Sequence, residues 1–374
     1  MTKISRTTDM TQSSEMRHII MFSLPLLAGN LLQQTYNIVD TMVVGRYLGD
    51  DALAAVGATG SITYLFYTLC IGLSVGAGII VAQYFGAGKK KALRSAVFNS
   101  ALVTAIFGIV ISLLSVPATR PILELLKVPD KLIGDSVAYM QIACGGTIAV
   151  AAYNWINAIM RALGDSKTPL IFLGAASLLN ALLDLLFVVV FKFGIAGAAW
   201  ATVLTQALSA ISCIVYCFAV SREIKLTADD LHADKDMMSR CVKTGVPIAI
   251  QNGLISVSMV ALQRVTNGFG ETVMATYTVS MRIEQFVQKP FSSLNAAVST
   301  FTGQNIGAGK EKRAQKGLAC AIKISVIFSA VVLVLFTLFG GAITSWFVKG
   351  KTVISISAKA LIITSLLLYY TTAL

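Results

Sequence analysis

The sequence predicts an all-α integral membrane protein of two lobes, built from parallel repeats of transmembrane helices. Three observations predict it: a shortage of charge, a series of apolar runs of spanning length, and an internal echo. Charged residues make up 13% of the 374-residue chain and hydrophobic residues 56%, with a mean hydropathy of +0.75. A water-soluble domain carries roughly a quarter charged residues. A surface this poor in charge can face lipid, but it cannot cover itself against water.

A spanning helix needs about 20 mostly apolar residues. Runs of that kind lie near 19–44, 52–84, 92–116, 133–160, 168–191 and 194–220, and then near 243–266, 273–303, 314–340 and 352–373. Residues 1–18 are then an N-terminal arm, 19–220 a first lobe of six helices, 221–242 a polar linker and 243–374 a second lobe of four. If the arm is cytoplasmic, its side of the membrane holds about 18 Lys and Arg in the gaps against about 8 on the other, the sense of the positive-inside rule. The expected location is the cell membrane, with the N-terminus inside. The net charge of +12 is therefore spread between spans, which orients helices and excludes a nucleic-acid footprint. The six cysteines (Cys70, Cys144, Cys213, Cys217, Cys241, Cys320) are scattered, as buried free thiols are.

The echo pairs "QYFGAGKKKALRSAV" from Gln83 with "QNIGAGKEKRAQKGL" from Gln304. It extends upstream: "LPLLAGN" at Pro25 pairs with "VPIAIQN" at Pro247, and "YLGDDALAA" with "GFGETVMAT". An even number of helices separates equivalent points, so the copies share one orientation. Parallel repeats of this kind typify secondary transporters, with the substrate path between the halves. Six helices precede the linker and four follow it, so two helices of the second copy are expected to be missing here.

Ionisable residues inside apolar runs are costly, and each one calls for an explanation. Asp40, Asp184 and Glu284 are such residues. Asp184 lies on one helical face with Asn180, about 12 Å deep from the gap at Lys192 at 1.5 Å per residue. Asp40, Thr202 and Tyr139 reach a similar depth from their own gaps. Two carboxylates with neutral oxygens beside them can hold Na⁺ or a proton. Asn157 lies too far toward the cytoplasmic end to join them unless its helix bends. Arg161, in "MRALGDSKTP", reads as a helix-end residue. Gln34, Tyr36, Met281 and Glu284 are candidates for a substrate cavity, where aromatic faces suit flat organic cations.

Enzyme chemistry is not expected. The two histidines, His18 and His232, fall outside the spans, and no GxxxxGK[ST] loop is present. No cofactor or structural metal is expected beyond a coupling ion.

Several motifs together resemble the multidrug and toxic compound extrusion (MATE) family, in its DinF-like branch. They are "SLPLLAGNLLQQTYNIVDTMVVGRYLG", "DALAAVG", "RALGDSKTP", "SLLNALLDLLFV", "GIAGAAWATV" and "QNIGAGK", and they span the chain from about residue 16. The resemblance implies twelve helices in two six-helix lobes. It also implies a multidrug efflux antiporter, expected to act as a monomer, that exports cationic or amphiphilic small molecules in exchange for Na⁺ or H⁺. The branch's coupling positions correspond to Asp40, Asn180, Asp184 and Thr202, with Asn157 and Tyr139 nearby. A related two-lobe exporter class, flippases of lipid-linked precursors, is the alternative. Such a flippase would favour a cationic cavity for pyrophosphate.

Overall fold

The computed structural model describes residues 7–227 and 230–372, and nearly all of them are helical. The helices in order are α1 (Glu15–Leu48), α2 (Asp50–Gly86), α3 (Lys90–Leu125), α4 (Asp130–Gly145), α5 (Thr147–Ala162), α6 (Lys167–Asp184) and α7 (Ile195–Val220). After the linker come α8 (Lys235–Asn267), α9 (Glu271–Gly307), α10 (Glu311–Ser345) and α11 (Lys351–Thr372). The expected run 133–160 is two helices bent by 43° at Gly145 and Gly146. Counted as one rod, they bring the helical rods to the expected ten among the described residues.

Six of these helices, α2, α3, α6 with its continuation, α7, α8 and α10, are long and apolar enough to cross a bilayer. The bent α4–α5 pair makes a seventh. Of the ten expected spans, α1, α9 and α11 fall outside this set among the described residues; α1 and α9 are 34 and 37 residues long and carry polar residues that reach the site. Outward, α3, α7 and α10 present large apolar side chains, among them Leu113, Val215 and Leu338, each more than 60% exposed. Exposed apolar surface on that scale suits contact with lipid.

The repeat is visible atom by atom. Ala87 N donates to Gln83 O and Gly88 N to Phe85 O, at 2.9 and 3.0 Å. In the second copy Ala308 N donates to Gln304 O and Gly309 N to Ile306 O, both at 3.0 Å. Gly88 and Gly309 then turn the chain with φ of 67° and 71°, a left-handed geometry that favours glycine.

The main core lies where α2, α3, α5 and α7 meet. It is built from residues such as Ile80, Val97, Trp155, Ile159 and Cys217, and Trp155 Nε1 donates to Ser100 Oγ at 2.9 Å. All six cysteines are free, and five are buried, as expected. The two sets of helices, α1–α7 and α8–α11, meet chiefly along α2 with α8 and along α9 with α1 and α2.

α8 begins at Lys235, inside the stretch expected to be linker. The linker itself is docked on α3. Buried Asn99 accepts from Asp234 N at 2.8 Å and donates to His232 O at 3.3 Å. Arg94 forms an ion pair with Asp230 at 2.9 Å, and Thr227 N and Oγ1 donate to the same carboxylate oxygen at 2.9 and 2.6 Å. The Thr227 hydrogen bonds, with Arg94 beside them, hold the Asp230 carboxyl below its ordinary value. A depressed carboxylate pKa contributes stability above the unfolded-state value, and that stability is lost as pH falls through the folded-state value. The linker is therefore expected to loosen below about pH 4, and Asp230→Asn to loosen it at neutral pH. Faster amide hydrogen exchange at Thr227 and Asp230 would register both. Unchanged exchange in the variant would dismiss this anchor.

Candidate functional site

The first feature is a polar knot inside the first seven helices. α1 brings Tyr36 and Asp40, four residues apart and so on one face; α6 brings Asn180 and Asp184 by the same spacing. Asp184 is 0% exposed and Asn180 1%. Asp40 and Asp184 lie against each other, and Tyr36 and Tyr139 lie beside both. Thr202 on α7 closes the ring, its Oγ1 3.5 Å from Tyr36 Oη. The apolar residues Val39, Val43, Val188 and Ile195 form a buried cluster with Tyr139 at its side.

Immediately after Asp184 the helix widens into a π-helical stretch, Leu185–Val190. Irregular turns of this kind free backbone groups and are frequent at functional sites. Nothing in the sequence marks the stretch, because Leu-Leu-Phe-Val-Val-Val fits α-helix equally well.

Five polar atoms of the knot are buried without a hydrogen-bond partner: Asp40 Oδ1, both Asp184 oxygens, and both amide atoms of Asn180. Each such group costs about 1–3 kcal/mol, and more when charged. A cation placed among them would satisfy the oxygens together. The donor set is hard oxygen, which suits Na⁺ or a proton.

Of the other residues expected here, Asn157 stands apart. It contacts Tyr153 and lies 4.0 Å from Cys213 Sγ, so it reaches the knot only through Tyr153, which lines a small pocket with Tyr36. That pocket adds three residues the sequence reading missed: Gln33, Thr205 and Gln206. Thr205 Oγ1 and Gln206 Oε1 are also buried without partners. Their position beside Thr202 on α7 was the available signal.

The second feature is a cavity of about 750 Å³ between the two sets of helices, walled by α1, α2, α8 and α9. Gln34 and Met281 line it, as expected. Glu284 does not. It turns to the far side of α9, against Thr364 of α11, two residues and about 200° around the helix from Arg282, which faces the cavity. Tyr36 lines the small pocket at the knot instead of the large cavity. Toward the end that carries the N-terminal arm, a second chamber of about 380 Å³ continues past Tyr64, Asn252 and Ser292, which line both. Arg161 lines this inner chamber, a role its helix-end position did not suggest.

Below the inner chamber the molecule is sealed. α2 and α9 cross at equivalent repeat positions: a Cβ on Gly86 would collide with Gln304 O, and one on Gly307 with Gln83 O. The arm ties the seal. Met10 N donates to Gln304 Oε1 at 2.9 Å, and Gln304 Nε2 donates to Ala162 O at 2.9 Å. Arg313 forms an ion pair with Glu15 at 3.1 Å and donates to Gln12 O at 2.8 Å.

Similarity to known proteins gives the chain a family. The family model described as MatE matches residues 25–186 and 247–372, one stretch in each copy of the repeat. The chain is 31% identical over 361 residues to the probable multidrug resistance protein YoeA of Bacillus subtilis, covering 95% of this chain and 78% of that protein. It is 32% identical over 314 residues to the probable multidrug resistance protein YpnP of the same organism, covering 82% and 68%. The solved structure of a MOP superfamily transporter from Pyrococcus furiosus superposes with a TM-score of 0.90 at 23% identity, over 98% of this chain and 83% of that one, a likeness of fold. The chain belongs to the MatE family, the multidrug and toxic compound extrusion transporters.

Proposed function

We propose that this protein is a secondary active efflux antiporter of the cell membrane, exporting amphiphilic small molecules in exchange for inward Na⁺ or H⁺. Its relatives YoeA and YpnP are described as multidrug resistance proteins, which supports the efflux half of this reading. The observation that carries the coupling half is the set of five partnerless buried atoms around Asp40 and Asp184. Both Asp184 oxygens and Asp40 Oδ1 face each other with no cationic side chain beside them among the described residues, and a Na⁺ or proton shared between the two carboxylates would satisfy them together.

The positive-inside rule puts the arm face in the cytoplasm, so the sealed arrangement is outward-open. α1 links the two features. Its Tyr36 and Asp40 enter the knot, while Gln34 lines the cavity and Asn30 Nδ2 bonds Ser293 Oγ of α9 at 2.8 Å. An ion that draws α1 and α6 together therefore moves a wall of the cavity. It shifts the outward- to inward-open balance only as far as its affinity differs between the two states. Pro25 interrupts the hydrogen-bond ladder of α1 and gives it a place to bend.

The test is efflux of fluorescent amphiphiles from vesicles holding the full chain, under separate Na⁺ and pH gradients. Asp40→Asn and Asp184→Asn are each expected to lose gradient-driven efflux at matched protein level. Efflux that persists in both variants would end the claim for this site.

A further inference from the structure

The cavity's charge is opposite to the one that suits organic cations. On α9, Arg282, Gln285, Lys289 and Ser292 recur at intervals of three and four residues, so they form one stripe, and all four line the large chamber. The stripe continues through Asn295 and Ser299 into the inner chamber, where Arg161 faces it from α5. Among the described residues, Arg282, Lys289 and Arg161 are the charged ones on the two walls, and no described Asp or Glu lines either chamber. The one acid of this part of α9, Glu284, is turned away toward Thr364. Among the described residues, none of the three cations has an ion-pair partner.

Unpaired cations within a membrane protein are expensive and mark a pathway for the charge they complement. Arg282 and Lys289 are seven residues apart, about 10 Å along the helix. That spacing lets one headgroup be passed from the first to the second. The remaining wall is mixed, with Met259, Met281, Tyr64 and Tyr277 offering adaptable apolar surface for the body of a ligand.

We propose that the central cavity selects amphiphiles with an anionic headgroup, a carboxylate or phosphate, held first by Arg282 and Lys289 and then by Arg161. This rests on the efflux reading and names its substrate class. It also departs from the cationic substrates that the family resemblance implies. The same headgroup chemistry could come from a lipid or from a water-borne compound.

Direct binding tests the charge class without requiring transport. Three xanthene dyes of one aromatic body, anionic, net-neutral and cationic, would be titrated against the full chain in nanodiscs of zwitterionic lipid, read by anisotropy. The anionic dye is expected to bind tightest. Arg282→Gln with Lys289→Gln is expected to weaken it by about 10- to 100-fold, the worth of one or two charge-assisted hydrogen bonds, and to leave the cationic dye bound at least as tightly as before. Lys289→Glu is expected to reverse the order of the two charged dyes, a change that misfolding would not produce. Adding an anionic phospholipid to the nanodiscs then separates the sources. Competition with the dye supports a lipid headgroup and its absence a water-borne amphiphile, and both keep the anionic class. Cationic dye binding as tightly as anionic in wild type, or anionic binding unmoved in the double variant, would overturn the proposal. Selective anionic binding without gradient-driven efflux would keep this inference and remove the antiport reading, so the two fail separately.

Discussion

Asp184→Asn is expected to abolish coupled efflux and, independently, to abolish the stabilisation that the coupling ion gives to the folded protein. A ligand that binds only the native state stabilises it by RT ln(1 + [L]/Kd), about 2.7 kcal/mol at a hundred times Kd. Wild-type protein should therefore melt higher in saturating Na⁺ than in choline of equal ionic strength if Na⁺ is the ion. In Asp184→Asn the two melting curves should coincide. The variant without ion should be no less stable than wild type without ion. Asn has nearly the same shape as Asp, and removing a buried charge that lacks a partner also removes its desolvation penalty. That combination separates loss of a binding site from loss of a fold. A proton as the ion would move the effect from Na⁺ concentration to pH, with Na⁺ and choline then equal in wild type. A Na⁺-dependent rise retained in Asp184→Asn would place the ion elsewhere, and Asp40→Asn offers the matching control from the other side of the knot.

How far the site could be read before its geometry depended on periodicity. Depth along a helix follows from rise per residue, so Asp40, Asp184, Asn180, Thr202 and Tyr139 could be assigned to one level from counting alone. The structure brings Asp40 against Asp184 and Tyr36 against Thr202 at that level. Direction around a helix is harder, because an error of two residues turns a side chain to the opposite face. Glu284 and Arg282 illustrate it: both sit in "MRIEQF", yet only Arg282 faces the cavity. The π-helical stretch after Asp184 and the bend at Gly146 also escaped the sequence. Both are local responses to packing that leave the apolar period intact. Gly146 meets the side chain of Val203, so its lack of a Cβ serves α7, a neighbour distant in sequence. The repeat was the most legible feature of all. Its turns depend on backbone geometry that few residues other than glycine adopt, so the motif and the structure have to agree.

The second large effect is expected at the crossing of α2 and α9. Gly86 and Gly307 are equivalent in the two copies, and each abuts the backbone of the other copy's glutamine, Gln304 or Gln83. Backbone cannot swing aside as a side chain can, so a new side chain at either position must push the helices apart. Overpacking of this kind costs about 1–3 kcal/mol per site, and sometimes more. Only the sealed state bears the cost. In the proposed alternating-access cycle an inward-open state would part the two helices and leave room for the added atoms. Moving a two-state balance from 1:99 to 99:1 takes about 5.5 kcal/mol, so Gly86→Val with Gly307→Val together approach what a complete reversal needs. A cysteine at Asn295, which lines the inner chamber, reports the balance when the six native cysteines are replaced by Ala. With the glycines intact, a membrane-impermeant thiol reagent should reach it poorly from the cytoplasmic face. With both valines it should react at least ~10-fold faster from that face, as each 1.4 kcal/mol of shift is a tenfold change. Gly57→Val, where an added Cβ meets nothing within 4 Å, should leave the rate as it was. Equal cytoplasmic labelling of the glycine and double-valine proteins would show that the crossing does not hold the seal.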